Sequence, residues 1–124
     1  MKIDRDAAEW AALRTLLVAY FNQDFEEIWG PPEATVLAFC RDTSEARRVE
    51  AADEVRRLLD GTTDDADTLA ALEPLGRDYH PEAAGWSIRD WLSEVERVLR
   101  DPRGPTRLDE HPGKSRPSTG GTAP

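Results

Sequence analysis

The chain has 124 residues, 16 Lys plus Arg against 25 Asp plus Glu, a net charge of −9 and 39% apolar content. That is the length of one domain with a core. No apolar run approaches the roughly 20 residues that cross a bilayer, no secretory h-region follows Met1, and the lone Cys40 excludes an internal disulfide. The acid excess argues against nucleic acid as a partner and favours a basic protein; no membrane partner is expected, and the cytoplasm is the expected compartment.

In chain order, Trp10, Leu13, Leu17, Tyr20 and Phe21 have helical spacing, with Asp4 or Asp6 placed to cap the start. Phe25, Ile28 and Trp29 make a short turn that Gly30-Pro31-Pro32 ends. Pro32 opens a helix through Val36, Leu37, Phe39 and Cys40, because proline is tolerated at the first helical position. Thr43 or Ser44 caps a segment whose apolar stripe is Val49, Ala52, Val55, Leu58 and Leu59, and Gly61 follows as a left-handed stop. Asp64 caps a short helix with Leu69, Leu72 and Leu75, ended by Gly76. After a loop with Tyr79, Pro81 and Gly85, Ser87 and Asp90 form a variant capping box for a last helix bearing Ile88, Trp91, Leu92, Val95, Val98 and Leu99.

No alternating run reads as a strand, so the expected fold is all-α: a compact bundle of about five unequal helices over residues 1–100. From Asp101 to Pro124 there are five prolines, four glycines and only Leu108 and Ala123 as aliphatic residues, with four basic side chains against three acidic ones. Such a segment buries too little to offset about 1–2 kcal/mol of backbone entropy per residue. Residues 101–124 are expected to be a disordered Pro/Gly-rich tail whose removal leaves the thermal midpoint unchanged.

Candidate chemistry is sparse. His80 lies in a loop and His111 in the expected tail, neither with a second ligand at metal spacing, and Cys40 sits on an apolar helix side. Asp64, Asp65 and Asp67 fail as a calcium loop, because Ala70 and Gly76 stand where glycine and glutamate are required. There is no phosphate-binding glycine loop. No catalytic residue, metal ligand or cofactor is therefore expected, and the chain does not read as an enzyme. Asp42, Glu45, Glu50, Asp53 and Glu54 alternate with arginines as a solvated face. Unbalanced acid falls at two corners, Asp24, Glu26 and Glu27 in the first and Asp64, Asp65 and Asp67 in the second, which are the candidate partner-binding residues. Trp86, following Gly85 in a loop, is the tryptophan most open to a partner.

The string Tyr20-Phe21-Asn22-Gln23-Asp24-Phe25, followed by Trp29-Gly30, Leu58-Leu59, Leu75-Gly76, Tyr79 with Pro81, Gly85 and Trp91-Leu92, resembles the helical immunity proteins of bacterial contact-dependent growth inhibition systems. These often carry Tyr-Phe-His-Gln-Asp-Trp after a first amphipathic helix. The resemblance covers about residues 10–100. Asn22 replaces the family's histidine and Phe25 its tryptophan, so a role of that histidine does not carry over. The resemblance implies a protein that binds the cognate toxin C-terminal domain, a basic nuclease-type partner, and neutralises it by occlusion over a standard interface of about 1,600 Å². The alternative is a small acidic helical adaptor or regulatory domain that binds some other protein through the same acidic corners. Oligomeric state has no sequence signal.

Overall fold

The computed structural model describes residues 1–111. Among these the architecture is all-α, with six helices and no strand. Helix α1, residues 8–20, changes pitch along its length: a 3₁₀ turn at Ala8–Trp10, α geometry at Ala11–Arg14 and a π-helical stretch at Thr15–Tyr20. The π stretch ends with the Phe21 N–H donating to the Leu16 carbonyl at 3.0 Å. That five-residue reach stacks Phe21 above Leu16, and both are fully buried. The short turn after it is helical, α2 at Phe25–Ile28, which makes the sixth helix.

Helices α3 (Pro32–Asp42), α4 (Glu45–Asp60), α5 (Asp65–Leu72) and α6 (Ile88–Arg100) follow the expected order. Three local caps form as the sequence indicates: Ser44, Asp64 and Ser87 accept from the backbone N–H groups of Arg47, Asp67 and Asp90. Gly76 is left-handed at φ +71, stopping a 3₁₀ turn that extends α5. Gly61 corrects the expectation: its φ is −90, an ordinary conformation. The end of α4 is satisfied instead by Arg89, whose guanidinium donates to the Leu59 carbonyl at 3.0 Å and to the Thr62 and Thr68 hydroxyls at 2.8 and 2.9 Å. A cation at a helix C-terminus also complements the dipole.

The most extensive packing joins α4 to α6, and α1 lies across α4. Val55, Leu58, Trp91, Leu92, Val95 and Leu99 fill the seam, all at most 1% exposed. Neither Asp4 nor Asp6 caps α1; the Asp4 carboxylate accepts from the Asp6 N–H in a tight turn. The α-geometry part of α1, which begins at Ala11, is capped by Glu54 on α4, placed by the sequence on a solvated face but 6% exposed, whose carboxylate accepts from Leu13 N–H at 2.8 Å across 41 residues of chain.

The expectation of an unstructured segment from residue 101 is corrected for 101–111. Leu108 is 1% exposed and belongs to the core. Glu94 accepts from the Arg107 N–H at 2.8 Å, Trp86 Nε1 donates to the Glu110 carbonyl at 2.9 Å, and Asp109 accepts from the Glu33 N–H at 2.8 Å at the start of α3. Arg97 also donates to the Pro105 carbonyl. This strap has one apolar anchor, and fixed side chains on the body supply the remaining fastenings. The rest of the expected tail, 112–124, lies outside the described residues.

Candidate partner-docking surface

The two acidic corners occupy different junctions, since α2 packs on α3 whereas α5 packs on α4 and α6. At the second corner the carboxylates hold the local fold. Asp64 caps α5, Asp67 accepts from the Thr63 N–H at 2.9 Å, and Asp65 accepts from the Arg89 N–H at 3.2 Å in the first turn of α6. Reversing their charge therefore disturbs two helix starts before it tests any interface.

The first corner is different. Asn22 braces it, accepting from the Asp24 N–H at 2.9 Å and donating to the Ala19 carbonyl at 3.1 Å. Asp24, Glu26 and Glu27 are exposed, Glu33 is half-buried, and among the described residues none of the four carboxylates meets a cation. Ile28, on the same short helix, is 55% exposed. An exposed apolar side chain on the same short helix as exposed carboxylates combines the two elements of an interface, an anchor and a polar rim.

Beneath the corner, the aromatics of the Tyr20–Phe25 string are packed. Tyr20 stacks on Trp29 with centroids 5.1 Å apart, and Phe21 contacts Phe25, Tyr79 and Trp91 at 5.1, 5.2 and 5.4 Å. Among the described residues the Trp91 Nε1–H has no hydrogen-bond partner, and its ring meets Phe21 in a T-shaped contact and Tyr79 at a tilt. Burial pushes the Tyr79 hydroxyl above its ordinary value, and the nearby Glu26, Asp109 and Glu82 raise it further. Three segments distant in sequence thus bring negative charge to one place. They border a cleft of about 330 Å³ lined by Glu26, Tyr79, His80 and Asp109. Burial works to raise the Glu82 carboxyl, but Arg77, through two contacts at 3.2 and 3.0 Å, heads the opposing influences that together hold it below the usual range.

Trp86 is not the open tryptophan the sequence suggests. It is 5% exposed, roofed by the strap, with the Arg107 guanidinium 5.5 Å from its ring centroid. Trp86→Phe keeps the apolar packing but loses the bond to the Glu110 carbonyl, an expected loss of about 1 kcal/mol in thermal unfolding. Amide exchange in 107–110 should quicken with it; unchanged exchange would show that the indole does not fasten the strap.

Among the described residues no group of three or more His, Cys, Asp or Glu is placed to hold a metal ion. Burial raises the Cys40 thiol above its ordinary value despite the lowering effect of Arg48, the opposite of thiolate activation. Among the described residues no helix is long and apolar enough to cross a membrane. Sequence reasoning missed Asp109 and Ile28 as parts of the α2 face. Ile28, between Glu27 and Trp29, was read only as part of a short apolar turn, and Asp109 had no signal in a segment expected to be loose.

A search of curated proteins finds no match to the sequence. Among solved structures, the chain is similar to one from the crystallised CdiA-CT/CdiI complex of Y. kristensenii, with 27% identity and a TM-score of 0.66, covering 73% of this chain and 98% of that one. The family model for the CdiI immunity protein matches residues 9–99. With most of the sequence and the helical body matched, the chain belongs to the CdiI immunity protein family.

Proposed function

We infer that the chain is a stoichiometric, non-catalytic inhibitor that acts in the cytoplasm. It binds the toxic C-terminal domain of a contact-dependent growth inhibition effector and covers a basic, nucleic-acid-binding cleft on it. Family membership and similarity to a chain of a CdiA-CT/CdiI complex support toxin binding. The observation that carries the nuclease reading is the carboxylate surface at Asp24, Glu26, Glu27 and Glu33, unpaired among the described residues, which suits lysines and arginines that would otherwise hold phosphates. Carboxylates steer the encounter, and buried anchors set the lifetime of the complex.

The test is co-purification with the toxin domain encoded beside this chain, followed by a nuclease assay at increasing inhibitor ratio. Activity should fall to nothing near one inhibitor per toxin. The pair Glu26→Lys with Glu27→Lys should slow association about tenfold at low salt and flatten its salt dependence. A toxin domain that forms the complex but cleaves nucleic acid at full rate would overturn the occlusion reading.

A further inference from the structure

We propose that α2 and the strap of residues 101–111 form one docking face, and that the strap is the part of it that selects this chain's own basic partner from those of its relatives. This rests on the toxin-binding reading above. The family match stops at residue 99, and 73% of this chain already covers 98% of the similar chain in the Y. kristensenii complex. The strap therefore lies beyond the part shared with the family model.

Its attachment is too specific for a loose appendage. Leu108 sets it in the core, and Glu94, Trp86, Arg97 and Asp109 fasten its backbone or tie it to α3. These polar bonds fix one register and leave Glu110 and His111 exposed, with Glu110 paired at 3.1 Å to Arg107, whose guanidinium lies over Trp86. Side chains ordered before the encounter lower the entropic cost of binding. Asp109 and Glu26 border the same cleft over Tyr79, which makes the strap continuous with α2. The occupant follows from charge and shape together: a protein surface rich in lysine and arginine, with an apolar recess for Ile28.

Hydrogen–deuterium exchange on the full chain, alone and with its toxin domain, locates the face. Slowed exchange is expected at 24–28 and 105–111 and not at 62–67. Ile28→Asp should weaken affinity at least tenfold with an unchanged thermal midpoint. Glu110→Lys should reduce the preference for the chain's own toxin over a relative's toxin. If a neutralised complex forms with protection elsewhere and Ile28→Asp binds normally, the docking face is wrong while toxin binding stands. If Glu110→Lys leaves the preference unchanged and the strap exchanges freely in the complex, the strap has no selective role. If no complex forms with the toxin domain, the toxin-binding reading fails and this inference falls with it.

Discussion

Replacing Leu108 by alanine is expected to lower the unfolding free energy by about 2–4 kcal/mol, a fall of roughly 10 °C or more in Tm for a domain of this size. The side chain is 1% exposed and packs into the core cluster, so truncation leaves a cavity that the surrounding helices only partly refill. The same change loosens the segment that covers Trp86 and caps α3 through Asp109. Truncation after Arg100 should cost at least as much, because it also removes the partners of Glu94, Trp86 and the Glu33 N–H. Thermal unfolding of the two variants decides the matter. Midpoints within a degree of the parent would mean that the segment merely rests on the surface.

The second large effect is expected at Glu54. Its carboxylate accepts from the Leu13 N–H at 2.8 Å, a donor that burial cuts off from water. Glu54→Ala leaves that donor without an acceptor, so a loss of about 1–3 kcal/mol is expected at neutral pH. Glu54→Gln keeps an acceptor oxygen and should lose less. Burial outweighs the helpful hydrogen bonds and raises the folded-state pKa above the ordinary 4.5. The folded protein therefore holds this proton more tightly than the unfolded chain. The contribution is complete below the unfolded value and declines as pH rises through the folded one. The advantage of the parent over Glu54→Gln should be greater at pH 4 than at pH 7, measured by urea unfolding; the reverse trend would exclude a raised pKa.

Glu94 behaves in the opposite sense. Arg97 first, and then the Arg107 N–H, hold its carboxyl below the usual range although burial works against them. Its contribution is present above the unfolded carboxylate pKa and is lost as pH falls through the folded value. Two buried glutamates on adjacent helices thus respond to acid in opposite directions. The reason is the partner: Glu54 faces backbone dipoles alone at close range, whereas Glu94 also has a guanidinium.

The all-α class, the helix order and the caps at Ser44, Asp64 and Ser87 were legible because each depends on residues within a few positions of one another. The aromatic string after α1 was legible too, and so was the acidic character of the α2 corner. Glu54 was read as solvated because its neighbours in sequence are arginines, yet its acceptor role is set by a helix start 41 residues away. Trp86 was read as open for a related reason: its cover comes from a segment whose composition argues for disorder. Local composition determined which stretches coil into helices and how negative the body is. Only tertiary packing decided that Glu54 caps α1, that one leucine and a few polar bonds fasten residues 101–111, and that Asp109 stands beside Glu26. Hydrogen-bond partners and burial across such spans are properties of the assembled core, and no window along the chain contains them.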